Sequence, residues 1–334
     1  MATRDSAGLS PAARKIRLLG IIVAITVVLY SAGWFYVASK FETFLGGILN
    51  HPGQGVVDIR CDKFSTGGFP FLIGFTCDKT ALEDVPAGNA LAAGAMRAAA
   101  RIYNPGAAVV ELEGPAEVSF GDGSAVDAQW QTLRASLRAG LSGLSTFSAE
   151  AAAPSVRLSS PMLDNTFFAK SKDGQFHVRQ NNGDLEVAVL AHDFTLTEGA
   201  ATTLLSPLSS SIELTLIGKG ELLQGAPLAS KAMAGQLTSF KIDTPEGIYG
   251  EMSGPFTIDE DGLISGTFMT TLEKLDLWEN NLRRLFPKAG DTISGVAILL
   301  KGLAKGKDRV TVKLEVRKGA IFLSLLPLGH IPPI

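Results

Sequence analysis

The chain has 334 residues, of which 46% are hydrophobic and 19% charged, with a formal net charge of −3 at pH 7. The apolar content excludes a disordered chain, and no basic run interleaved with aromatics supplies the electrostatic footprint of a nucleic-acid binder. With 36 glycines and 16 prolines, the composition favours many turns and short strands over a helical bundle.

The first 17 residues are polar and carry Arg4, Arg14, Lys15 and Arg17. Residues 18–38 follow, and no charge falls between Arg17 and Lys40. A helix over 18–38 spans ~30 Å, the thickness of a bilayer core. Positive charge on the amino-terminal side alone predicts residues 1–17 in the cytoplasm and the rest exported. Trp34, Phe35 and Tyr36 are then expected as an aromatic belt at the far interface. The rival reading is a cleaved signal peptide, but Ser31 and Gly33 match a cleavage site poorly. The segment therefore reads as an uncleaved signal anchor.

Cys61 and Cys77 are the two cysteines of the chain. They bracket a stretch whose flanks alternate: Val57, Ile59 and Cys61 on one side, Phe71, Ile73, Phe75 and Cys77 on the other. Period-two alternation indicates half-buried strands. The glycines and proline of Thr66–Pro70 supply the turn. Folding the hairpin about Phe69 sets Cys61 opposite Cys77, at a Cβ separation of ~4.5–5.5 Å that suits a disulfide. An exported compartment favours oxidation. Zinc is disfavoured, because neither a second cysteine pair nor a nearby histidine completes a ligand set.

The run Gly67, Gly68, Phe69, Pro70, Phe71, inside a cysteine-bracketed hairpin directly after one anchor, resembles an uncharacterised family of alphaproteobacterial inner-membrane-anchored proteins. Ile102-Tyr-Asn-Pro105 after an Ala-rich segment, and the ending Leu326-Pro-Leu-Gly-His-Ile-Pro-Pro333, also look like that family. The resemblance implies a single-pass protein of the bacterial inner membrane with a periplasmic domain of unknown function over 41–334. More distantly it suggests the AsmA-like and lipid-transfer groups, with their long curved sheets and apolar inner faces. It carries over no catalytic residues.

Asn89–Arg101 has Leu91, Ala95, Ala98 and Ile102 at helical spacing, and a helix ending before Pro105 is expected. Strands are expected at Val109–Glu113, Ala116–Phe120, 124–130 after the turn Gly121-Asp-Gly123, Asp184–Thr197, Ile212–Ile217, Leu237–Ile242, Phe256–Ile258 and within Leu263–Leu277. Three further strands are expected at Ser294–Leu300, Arg309–Val316 and Ala320–Leu326, with a basic turn over Lys301–Arg309. Trp278–Phe286 reads as a short helix. Residues 139–155 read as a flexible crossing where the domain would divide if it has two halves, and 200–211 as a loop. The fold class is thus mainly β: one transmembrane helix, then an extended, curved antiparallel sheet with a few short helices. A closed sandwich and an open groove satisfy the pattern equally well.

The histidines His51, His177, His192 and His330 lack ligand spacing. Gly140-Leu-Ser-Gly143 is not a nucleophile elbow. Asp259-Glu-Asp-Gly262 reads as a hairpin turn and not as a calcium loop. No catalytic residue, metal ligand or cofactor is expected. The expected function is non-enzymatic support of envelope assembly or lipid handling, with lipid or another hydrophobic ligand bound along the sheet. Acyl-chain capture needs only apolar area, at ~0.8 kcal/mol per buried CH₂. The alternative is a non-catalytic interaction scaffold with envelope protein partners.

Overall fold

The computed structural model describes residues 11–49, 58–84, 87–140, 142–162, 165–199, 202–226 and 230–333. Arg4, His51 and Val57 lie outside them. Helix α1 runs from Pro11 to Leu49, well past the expected 18–38, because no helix breaker interrupts the apolar run. The residues from Ala12 to Gly47 have a mean hydropathy of 2.2 and form the one helix long and apolar enough to cross a membrane among the described residues. Its side chains from Leu18 to Leu29 are exposed, whereas Trp34 and Ala38 are buried.

The strands follow in chain order. They are β1 Asp58–Asp62, β2 Ser65–Gly67, β3 Leu72–Cys77, β4 Lys79–Asp84, β5 Asn89–Ala93, β6 Met96–Arg101, β7 Asn104–Leu112 and β8 Ala116–Ser119. Next come β9 Ala125–Gln129, β10 Thr132–Gly140, β11 Gly143–Ala152, β12 Ser155–Ser159, β13 Phe167–Lys170, β14 Asp173–Asn181, β15 Asp184–Glu198 and β16 Thr202–Leu216. After a short 3₁₀ turn, Gly220–Gln224, lie β17 Met233–Asp243, β18 Tyr249–Ile258 and β19 Ile264–Glu273. Helices α2 Leu275–Leu285 and α3 Gly290–Ala304 precede β20 Arg309–Arg317, β21 Ala320–Leu323 and β22 Leu326–His330.

All pairings are antiparallel, and the strands form one open sheet with β1 and β2 at one edge and β22 at the other. The first fourteen strands are halves of seven long ones. β3, β6, β7, β10, β11 and β14 form an upper panel, and β4, β5, β8, β9, β12 and β13 a lower one; both panels end on β15. A crease separates them. Along it lie Lys63 and Ala153 with left-handed φ, and Pro115 and Pro154, which have no N–H for a ladder. Hydrogen bonds between neighbouring strands continue along it, from Asp78 N to Asp62 O (2.8 Å), Gly94 N to Glu113 O (3.1 Å) and Lys172 N to His192 O (2.9 Å). At β15 the crease reduces to a register shift between Ala191 and Phe194, with Asp193 at positive φ.

Several expectations are corrected. Asn89–Arg101 is not a helix but β5 and β6, divided at Gly94. The strands approach closely at one point: a Cβ on Gly74 would stand 2.3 Å from Ala98 O, so glycine is required there where β3 meets β6. Ladders on both sides outweigh the helix propensity of alanine, which tertiary pairing readily overrides. The expected loop at 200–211 is mostly β16, paired with both β15 and β17. Residues 143–152, within the expected flexible crossing, are β11, also paired on both sides. Ser294–Leu300 is not a strand but lies inside α3; a short apolar run has no period that separates a buried strand from a helix. The short helix expected at 278–286 is α2, which starts at Leu275.

The best-filled core lies at the carboxy-terminal end. Leu275, Leu300, Ala304, Val310, Val312 and Leu323 pack α2 and α3 onto β20 and β21, and Leu237, Phe268 and Val316 form a neighbouring cluster.

Candidate functional site

The cysteine hairpin has a different register from the expected one. Ser65 faces Thr76 and Gly67 faces Gly74, which centres it between Pro70 and Phe71 and not on Phe69. Cys61 therefore pairs across the ladder with Thr80, not with Cys77. The disulfide forms diagonally across the crease, with a Cα–Cα distance of 5.3 Å. Lys63 and Asp78 close the outside of the bend with an ion pair of 2.9 Å, which raises the lysine's pKa. Inside, Leu45 of α1, Ile59, Phe64, Phe75 and Met96 pack around the bridge.

The Gly67–Phe71 tip lies against α1. Trp34 Nε1 donates to Leu72 O at 3.0 Å, and the Tyr30 hydroxyl donates to Pro70 O. The Phe69 ring meets Trp34 edge-on at 5.4 Å and stacks on Phe35 at 5.6 Å. Thr66 Oγ1 donates to Glu42. Of the three aromatics expected as a belt, two thus hold the hairpin, and Tyr36 stays exposed near Lys40.

Each panel has one apolar face. Ala108, Leu137, Phe147, Val178, Val187, Leu214 and Leu237 lie in register across the upper panel and onto β17. Ile59, Leu82, Leu91, Val118, Val126, Leu158 and Phe167 do so across the lower one. The disulfide joins the two faces. Near the crease, apolar-face residues Cys61, Cys77, Thr80, Ala93 and Ala116 are buried, while their polar-face neighbours Asp62, Lys79, Ala92 and Glu117 are exposed. The sheet therefore folds toward its apolar side.

That apolar side is not filled. In a closed sandwich it would be core, yet Phe176 and Val189 are each 39% exposed, and Val110, Leu133, Leu137 and Phe147 are only half-buried. Phe147 and Phe176 touch at 6.2 Å between ring centres. The 3₁₀ turn at Gly220–Gln224 lies against β11, β14 and β15 near Val178 and Leu185, which are buried. Thr80 Oγ1, inside the crease, has no hydrogen-bond partner.

The opposite face is polar and many of its charges are paired. Arg97, Glu111, Arg134 and Glu150 alternate in sign across four strands. Arg60 bonds Glu83 at 3.0 Å, Arg157 bonds Asp127, and Arg179 bonds Glu186. The Asn181 amide and the Arg179 guanidinium hold the Glu186 carboxyl below the usual glutamate range. A depression lined by Ser148, His177, Arg179, Glu186 and Glu213 lies on this face. His177 faces Ser148 in the register but bonds Gln175, at 3.2 Å. His192 pairs with Asp173 at 2.6 Å, and the Ser171 hydroxyl beside them is directed at backbone carbonyls. His330 lies on β22. Among the described residues no three His, Cys, Asp or Glu side chains converge to hold a metal.

Sequence reasoning missed the docking of the hairpin on α1. Its signal was the coincidence of two aromatic clusters, Trp34–Tyr36 and Phe69–Phe71, which short-range rules do not connect. One family model matches the chain, over residues 34–332, and is described as "Uncharacterized protein conserved in bacteria (DUF2125)". No curated protein and no solved structure matches.

Proposed function

The chain belongs to this uncharacterised bacterial family, and from that premise we propose that it is a non-enzymatic, membrane-anchored periplasmic protein that binds a lipid or lipid-bearing ligand along the apolar face of its creased sheet. One observation carries the reading: the apolar face folds inward yet stays unfilled, with Phe176 and Val189 39% exposed. A ligand with two or three acyl chains would gain ~0.8 kcal/mol for each CH₂ it buries there. The likeness in architecture to AsmA-like and lipid-transfer proteins belongs to the same proposal, as does an alphaproteobacterial source.

Placement in the inner membrane rests on α1 and on Arg14, Lys15 and Arg17 at its amino-terminal end, which favour a cytoplasmic amino terminus. The disulfide supports an oxidising periplasm on the other side. The test is extraction of the purified full chain with organic solvent, followed by mass spectrometry. Co-purified lipid is expected, and it should be lost from a Phe176→Asp, Val189→Asp double variant that still folds. Absence of lipid from the wild type, or equal amounts in both proteins, refutes the reading.

A second reading, a scaffold for envelope proteins, is favoured by the outer side of α3, where Ile298 and Leu303 are 69% and 51% exposed. Crosslinking in cells that captures a reproducible protein partner through α3, without lipid, would support it.

A further inference from the structure

We propose that the two hairpin tips nearest α1, Phe69–Phe71 and Ile102–Tyr103, insert into the membrane leaflet beside the anchor, so that the sheet is held by lipid as well as by its tether. The proposal rests on the reading of α1 as a membrane span. Tyr30 lies ~12 Å along the helix from Ala38, well within the uncharged stretch, and its hydroxyl bonds Pro70 O. If residues 18–38 cross the bilayer, the tip bonded to Tyr30 and Trp34 is carried into lipid with them.

The tip is built for that setting. Phe71 is 65% exposed and Tyr103 71% exposed, a poor arrangement in water and a favourable one in lipid. Backbone carbonyls in hydrocarbon need partners, and four around the first tip have them. Gly68 O accepts from Leu72 N, Pro70 O from Tyr30, Phe71 O from Ile102 N, and Leu72 O from Trp34. Proline at position 70 removes an N–H that would otherwise need one. Arg101, the register partner of Leu72, stands exposed at the rim, where it can reach a phosphate. Farther from α1 at the same end of the sheet the tips turn polar, at Asn181–Asp184 and at Asp259–Gly262.

The test uses the full chain in vesicles of phosphatidylethanolamine and phosphatidylglycerol. Phe71, Tyr103, Val23 and Arg157 are each replaced in turn by the photocrosslinker p-benzoylphenylalanine. Lipid adducts are expected at 71 and 103 as at 23, with none at 157. Adducts at 23 with none at 71 and 103 overturn the insertion and leave the anchor standing. No adduct at 23 removes the anchor reading and this proposal together. Protein adducts at 71, in place of lipid, also overturn it.

Discussion

Breaking the Cys61–Cys77 bond should cost most of what holds the two panels in register near α1. The bridged residues are 16 apart in sequence. In the chain-entropy model, closing a loop of that length stabilises by ~3 kcal/mol at 25 °C. For a domain of this size each kcal/mol shifts the melting temperature by ~2–4 °C, so a fall of ~6–12 °C is expected. The assay is thermal unfolding of the full chain in detergent, oxidised and fully reduced, for the wild type and a Cys61→Ala, Cys77→Ala double variant. The oxidised-minus-reduced difference in the wild type isolates the cross-link. The double variant against the reduced wild type isolates lost packing among Leu45, Phe75 and Met96. Limited proteolysis should then find new cleavage around Lys63 and Lys79, where the arms lie exposed beside the crease. Oxidised and reduced wild type melting within ~2 °C of each other would refute the account, because the entropic contribution does not depend on neighbouring contacts.

Three further outcomes are expected. Thr80→Val should be neutral or stabilising by up to ~1–3 kcal/mol in denaturant unfolding, since it removes a buried hydroxyl without a partner; a marked loss would mean that the hydroxyl serves a bond. Gly94→Val should destabilise by ~1–3 kcal/mol or more, because a Cβ there would stand 2.7 Å from Glu113 O on the crease; an unchanged denaturation midpoint would show the crease to be pliable. The Lys301 bond, and then Ser294, hold the Glu279 carboxyl below its ordinary 4.5, so its contribution is full above that value and lost as pH falls through the lowered pKa. Bonds to Asp276 and Glu279 raise Lys301 above 10.5, so its contribution is full below that value and lost as pH rises through the raised pKa. Glu279→Gln should flatten the acid limb of the denaturation midpoint against pH, and an identical acid limb would discard the α2–α3 clasp.

Much of the β architecture was legible, because a strand with one wet face leaves a period of two. Leu133, Ala135 and Leu137 alternate with Arg134, Ser136 and Arg138, and the structure turns the second set outward. What failed were stretches where a residue type permits two structures. Alanines at 95 and 98 fit a helical period by coincidence, and the close approach of Gly74 to Ala98 that selects strands is a long-range fact. Val296–Leu300 is apolar on every side and has no period to read. The crease was hidden in a different way. Gly94, Pro115 and Pro154 each look like the end of a hairpin, and only their alignment across seven strands makes them one fold line. Parity correctly put Cys61 and Cys77 on one face, but parity is blind to register: the centre lies between Pro70 and Phe71, and the bridge runs diagonally.

The crease also decides what the apolar face can be. A flat sheet this wide, open on one side, would expose its apolar rows to water and invite association. A closed sandwich would bury them and leave no room for a ligand. Folding along a line of glycines, prolines and left-handed residues lies between these outcomes. Small side chains such as Ala93 and Ala116 are buried in the angle, while Phe176 and Val189, farther from it, remain accessible. The disulfide crosses that angle at the sheet's first edge, and it is packed against Leu45 of α1. The same helix holds the hairpin tip through Tyr30 and Trp34. The edge of the apolar cradle and its attachment to α1 therefore share one cluster of residues, so on the proposed lipid-binding reading perturbing that cluster should change how much lipid co-purifies, even though none of its members lies on the exposed part of the cradle.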